Sequence, residues 1–220
     1  MIREHDKSQS YIDWLKSMGC VFYAPLNQND LKDYISGEIP TTDANCTVTW
    51  DANKGMYKLY SNRNNGQNVG SLNWRSGLLT NFSNGDAGTA LITVQEIQMS
   101  GNGYCAMITI PNLYGKDTSQ MNLIWICQRR YGNLIDTNLH KYAVTYPQNT
   151  GQSPVGIKFY RDGNLIATSN WKIQSSVGQN TVGIGQVNNG SSYYEIYAKD
   201  AMIFNRVLSQ DEIKQIQNIQ

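Results

Sequence analysis

Between Cys20 and Phe204 the chain is a succession of short runs rich in β-branched and aromatic residues, each closed by Gly, Asn or Pro, and helical periodicity appears only outside that stretch. With no helix between the strands to cover them, the runs must cover one another, which implies a sandwich or a barrel. Residues 21–23, 46–50, 57–60, 91–96, 104–110, 123–129, 142–146, 155–161, 165–168, 181–184 and 193–204 read as strands. The sharpest turn is Arg161-Asp162-Gly163-Asn164. Asp-Gly accepts the positive φ values of a two-residue type I′ turn, so 155–161 and 165–168 should pair as an antiparallel hairpin. No internal repeat and no long linker interrupts the pattern.

The 220 residues suit one β-sandwich domain. Only 16% of them are charged, Tyr occurs 14 times, and 18 Lys and Arg face 17 Asp and Glu for a net charge of +1. That balance offers no general attraction to nucleic acid or to an anionic membrane surface. The densest apolar stretches, 106–110 and 123–127, fall far short of the roughly 20 residues a spanning helix needs, so membrane insertion is not expected. The first twenty residues lack the apolar segment and small-residue cleavage site of a secretory signal. On that basis the chain is expected in the cytoplasm or carried on a virion or other assembly. Cys20, Cys46, Cys105 and Cys127 show no metal-like spacing with His5 or His140 and are expected reduced, although a 104–110/121–129 hairpin would bring Cys105 near Cys127.

Two helices bracket the strands. Tyr11, Trp14, Leu15 and Met18 recur at i, i+3, i+4 and i+7 after Ser10 as N-cap, which predicts a short amphipathic helix over 10–18. Its apolar stripe either docks on the sandwich or joins copies of the chain into a homo-oligomer or assembly. Ser209 and Glu212 form a capping box for a second helix, in which Ile213 and Ile216 share a face. Residues 1–19 are thus read as a helical extension and 20–220 as the sandwich domain.

The last 80 or so residues carry a resemblance. Tyr142-Ala143-Val144-Thr145-Tyr146, the Tyr160-x-Asp162-Gly163 hairpin, Val182-Gly183-Ile184-Gly185, and Asn205-Arg206-x-Leu208-Ser209 before a helix stand in the order of the laminin-G-like pattern. Val21 to Leu26, Leu31-Lys32-Asp33 and Ser36-Gly37 resemble that family's opening strand and turn. The chain is therefore similar to a laminin-G-like domain of the concanavalin A-like lectin and glucanase superfamily. The resemblance implies an all-β, two-sheet antiparallel jelly-roll sandwich with short N-terminal and C-terminal helices, acting as a binding module. Where many members carry an acidic residue just before the last strand, this chain has Lys199 beside Asp200. No cofactor is expected. Calcium is the one candidate ion, and Asp30, Asp33, Asp43 and Asp51 are too scattered to form a ligand loop of EF-hand type.

The superfamily includes glucanases, whose retaining chemistry needs two carboxylates about 5–5.5 Å apart on one strand face. Glu96 stands alone in its run, and the five-residue offset of Glu195 and Asp200 places them on opposite faces of an ideal strand. His5 and His140 are the only histidines available to activate a Ser or Cys, and His140 reads as structural. No catalytic residue and no metal ligand is assigned, and the chain is not expected to be an enzyme.

The candidate ligand-binding residues are Asn188, Asn189, Tyr193 and Tyr194 in one polar and aromatic segment, and Arg63 and Trp74 in a second. Amides and cations pair with sugar hydroxyls and flat rings stack on sugar faces, while loop solubility explains the same residues without a ligand. Two functions follow: a non-catalytic adhesion module for a glycan or other cell-surface ligand, or a structural component such as a bacteriophage tail or capsid decoration protein. A divergent glycoside hydrolase is a third, weaker alternative.

Overall fold

The computed structural model describes residues 8–26, 30–63, 72–74, 87–101, 104–109, 114–117, 120–121, 137–147, 156–169, 173–174, 182–188 and 192–218. Helix α1 (Gln9–Ser17) precedes β1 (Cys20–Ala24), β2 (Thr41–Thr42), β3 (Cys46–Asp51), β4 (Met56–Arg63), β5 (Leu72–Trp74), β6 (Gly88–Gly101) and β7 (Tyr104–Thr109). Then come β8 (Tyr114–Asp117), β9 (Gln120–Met121), β10 (Leu139–Tyr146), β11 (Ile157–Arg161), β12 (Asn164–Ser169), β13 (Ile173–Gln174), β14 (Val182–Asn188), β15 (Ser192–Phe204) and α2 (Gln210–Asn218).

The large sheet runs β12-β11-β10-β6-β15-β4-β3, with β1 also pairing β15, and a four-stranded sheet β2-β5-β14-β7 faces it. A smaller group, β13-β8-β9, completes the strands, and every described pairing is antiparallel. This is the expected all-β jelly-roll sandwich with a short helix near each end. No helix among the described residues is long and apolar enough to cross a membrane.

Period-2 alternation sends one set of side chains between the sheets. Leu59, Ile92, Val94, Val144, Phe159, Ile196 and Ile203 from the large sheet meet Leu72, Trp74, Ile108, Val182 and Ile184 from the small one. A second apolar cluster lies on the outer face of the large sheet, where Leu91, Ala143, Tyr160, Met202 and Phe204 are covered by Tyr11 and Leu15 of α1 and Ile213 and Ile216 of α2. Among the described residues, the two helices cap only part of that face and nothing covers the rest.

The helix over 10–18 begins earlier than its spacing suggests. Ser8, not Ser10, is the N-cap, its hydroxyl accepting from the Tyr11 amide at 3.3 Å, and Ile12 joins Tyr11 and Leu15 in the buried stripe while Trp14 is half-buried. The hairpin matches expectation at the turn, where Asp162 (φ 50°) and Gly163 (φ 72°) both occupy the left-handed region, although β11 begins at Ile157. Residues 123–129 and Cys127 lie outside the described residues, and Cys20 and Cys46 are buried free thiols.

The capping box forms as read. The Glu212 amide donates to Ser209 Oγ at 3.2 Å, the Ser209 amide donates to Glu212 Oε2 at 2.8 Å, and Arg206 grips the same carboxylate at 2.7 and 3.1 Å. These partners, the Arg206 guanidinium first, pull the Glu212 carboxyl down to about 2. Glu212→Ala is expected to cost about 1–2 kcal/mol at pH 7 by urea denaturation. The loss should shrink as pH falls from about 4.5 toward 2, where the native carboxylate itself becomes protonated. An unchanged urea midpoint at pH 7 would contradict the anchoring role of this carboxylate.

Candidate binding face

The open part of the outer face is carried by β3, β4 and the first half of β15, next to β6. Register places Tyr193, Glu195 and Tyr197 of β15 opposite Asn62, Tyr60 and Lys58 of β4, and Tyr60 and Lys58 opposite Thr47 and Thr49 of β3. The intervening Leu59, Tyr194, Ile196 and Ala198 are buried on the opposite side, so all of these polar and aromatic residues share the outer face. Tyr60, 37% exposed, and the half-buried Tyr193 bring their rings to 6.1 Å at 33°. They form an amphipathic platform.

Around the platform the charges are matched. Lys58 pairs with Glu195, which raises the lysine's pKa. The Tyr197 hydroxyl donates to Asp51 Oδ2 at 3.0 Å, and the Lys54 ammonium sits 4.7 Å over the Tyr197 ring while donating to Gln95 Oε1 at 3.0 Å. Backbone donation from Lys54 and the tyrosine hydroxyl hold Asp51 below the usual carboxylate range, and burial raises the Tyr197 phenol. Lys54 thus occupies one face of Tyr197.

Beyond Tyr197, β15 carries a bulge at Lys199-Asp200, with Asp200 at φ 56°. Apolar residues point inward at Ile196 and Ala198 and again at Ala201 and Ile203, so the bulge inserts one residue and restores the phase. Asp200 is 3% exposed and faces Thr93, Lys141 and Gln217 in a small cavity that Met202 and Ile216 also line. Burial, partly offset by Lys199, Lys141 and the Thr93 hydroxyl, pushes its carboxyl up to about 7. Lys199 Nζ stands 3.9 Å from Asp200 Oδ2, and Lys141 Nζ donates to the Gln217 carbonyl at the end of α2 at 2.7 Å.

The bulge also corrects an expectation: Glu195 and Asp200 lie on the same face. Their five-residue offset still sets them about 16 Å apart at roughly 3.3 Å per residue, three times the spacing of a retaining pair. Glu96 points the other way, into the sandwich, where burial lifts it to about 7 against a bond from Tyr194. His140 is tied at 2.6 Å to Asp162 in the hairpin turn.

Two of the candidate ligand residues belong to the core instead. Trp74 is fully buried on β5, edge-on to Phe22 at 5.2 Å, with its indole N–H donating to the Leu31 carbonyl at 2.8 Å. Tyr194 is 1% exposed and packs between the sheets, because adjacent strand residues must face opposite sides and Tyr193 takes the outer one. The β4–β15 ladder does bring the two sequence segments together, with Ser192 opposite Arg63 and Tyr193 opposite Asn62. Asn188 ends β14 opposite Tyr104, and Asn189 lies outside the described residues.

Tyr60, Tyr197, Lys54 and Lys58 join the face without any local motif to mark them. Their signal was the i, i+2 recurrence of polar and aromatic residues at 58, 60, 62 and at 193, 195, 197.

The four aspartates weighed for calcium serve turns and the sheet face. Asp33 is buried and accepts from the Tyr23 and Ile35 amides at 3.0 and 2.9 Å, and Asp30 accepts from Lys32 N at 2.9 Å and from the Tyr34 hydroxyl. Asp51 belongs to the sheet face and to the turn at Asn53, and the Asp43 carbonyl accepts from the Cys46 amide at 2.9 Å. Among the described residues no group of three or more His, Cys, Asp or Glu is placed to hold a metal ion.

No protein-family model and no curated protein sequence matches the chain. Solved structures do. The binding domain of botulinum neurotoxin DC in complex with rat synaptotagmin II superposes with a TM-score of 0.60 at 15% identity, over 92% of this chain and 52% of that one. A botulinum neurotoxin type C structure, described by the dependence of cell entry on two ganglioside molecules, gives 0.62 at 15% identity over 94% and 53%. The neurotoxin DC binding domain in complex with SialylT gives 0.61 at 15% identity over 92% and 51%. This chain spans about half the length of these neighbours. What it shares with them is the β-sandwich fold of toxin binding domains.

Proposed function

We propose that this protein is a non-catalytic binding module of laminin-G-like type that recognises carbohydrate on a surface through the open outer face of its large sheet. The observation that carries the reading is the Tyr60–Tyr193 platform, framed by Lys58, Glu195, Asn62 and Thr47 on neighbouring strands. Flat rings cover the apolar side of a sugar while carboxylate, ammonium and amide groups meet its hydroxyls, and rigid strands hold both sets in place. The fold shared with neurotoxin binding domains supports a binding role, and the ligands of those proteins remain theirs.

A glycan array probed with and without calcium tests the reading, followed by titration of the best glycan. Tyr193→Ala and Tyr60→Ala are each expected to weaken binding about tenfold or more, with little change in melting temperature because both side chains lie outside the core. Arrays blank under both conditions, or affinities indifferent to both substitutions, would defeat it.

A further inference from the structure

Resting on that reading, we propose that the face selects an uncharged glycan and discriminates against sialylated or sulfated ones. At the platform the cation is already matched: Lys58 is ion-paired with Glu195, Lys199 stands 3.9 Å from the buried Asp200, and the Lys54 ammonium is engaged by Gln95 and the Tyr197 ring. Beside the Tyr60–Tyr193 rings the Lys58 charge is cancelled by Glu195 within a few ångströms, so an anion approaching there meets no net attraction. To bind a sugar carboxylate, Lys58 would have to leave Glu195, whose side chain is 16% exposed, and strand that carboxylate next to the incoming negative charge.

A neutral sugar asks for no such exchange. Its hydroxyls donate to Glu195 and accept from Lys58 while the ion pair stays closed. The tyrosines favour the same ligand. Lys54 covers one face of Tyr197, which leaves Tyr60 and Tyr193 as the open rings, and these bind through the apolar side of a sugar without regard to charge. Breaking one pair should invert the preference: Glu195→Gln keeps a hydrogen-bonding group of the same shape and frees the Lys58 ammonium.

Calorimetric titration of the intact chain with cellohexaose and lacto-N-tetraose, against 3′-sialyllactose and a heparin hexasaccharide, tests this. The wild type is expected to bind a neutral probe, with affinity changing less than about twofold between about 50 and 500 mM sodium chloride. Glu195→Gln is expected to improve binding of an anionic probe about tenfold, and to do so only at low salt.

Tighter wild-type binding of an anionic probe, or a strong salt dependence, would overturn the selectivity while leaving glycan recognition standing. An unchanged anionic affinity in Glu195→Gln would overturn the charge-cancellation argument. Failure of every probe, together with a blank array, would overturn the carbohydrate reading itself.

Discussion

Trp74→Ala should strip about 3–5 kcal/mol from the folded state and leave the affinity of the sheet face unaltered wherever the variant still folds. The indole fills the space between β5 and the large sheet against Phe22, so its removal opens a cavity lined by both sheets. It also takes away the donor that satisfies the Leu31 carbonyl. At roughly 2–4 °C per kcal/mol for a chain of this size, the melting temperature should fall by about 10 °C or more. Trp74→Phe, which keeps most of the volume and loses the N–H, should fall by less. Calorimetry and glycan titration of the same preparations separate stability from binding. An alanine variant with wild-type melting and lost affinity would return Trp74 to the ligand site.

The protein should also be more stable at pH 5 than at pH 8, by several kcal/mol. Asp200 and Glu96 ordinarily titrate near 3.8 and 4.5, and in the folded chain burial raises each to about 7. A carboxyl with a raised native pKa holds its proton in the folded state while the unfolded chain has already released it. Stability therefore falls as pH rises from about 4 to about 7 and stays low above that, by roughly 3–4 kcal/mol per group. Below about 4.5 the trend reverses, because the stabilisation from Glu212 is lost as its carboxylate is protonated. Melting temperature should peak at about pH 4–4.5.

Asp200→Asn imitates the protonated acid and accepts the positive φ of that position. It should raise the melting temperature at pH 8 by about 10 °C and at pH 5 by less than half as much, because the unfolded carboxyl is already ionised at pH 5. Glu96→Gln should remove the other part of the slope. A profile that is flat or rises from pH 5 to pH 8 would show that neither carboxyl carries the burial cost assigned to it.

Local chemistry was legible in the sequence wherever a short motif prescribes its own geometry. Asp162-Gly163 specified the hairpin and Ser209-x-x-Glu212 the helix cap, because turn and cap depend on residues a few positions apart. Assigning residues to faces was harder. Leu72–Trp74 is a three-residue strand, too short to display alternation, so a buried tryptophan between Asn73 and Arg75 read as exposed. Composition alone makes Tyr193 and Tyr194 equal ligand candidates, but consecutive residues of one strand cannot both face outward. The pairing of Tyr60 with Tyr193 was illegible for another reason: it depends on the β4–β15 register, which joins segments more than 130 residues apart.

The extra residue at Lys199-Asp200 gives β15 something like a reading frame. Upstream of it, the odd-numbered positions of the strand meet solvent, and downstream the even-numbered positions meet the helices. Deleting one residue there would leave composition and hydrophobicity nearly intact, yet put one half of the strand out of phase with the other. Either Tyr193, Glu195 and Tyr197 would turn into the sandwich, or Met202 and Phe204 would. Point substitutions along the open face should therefore be tolerated far better than a single-codon deletion at the bulge, and diversified libraries of this face should keep the length of β15 fixed.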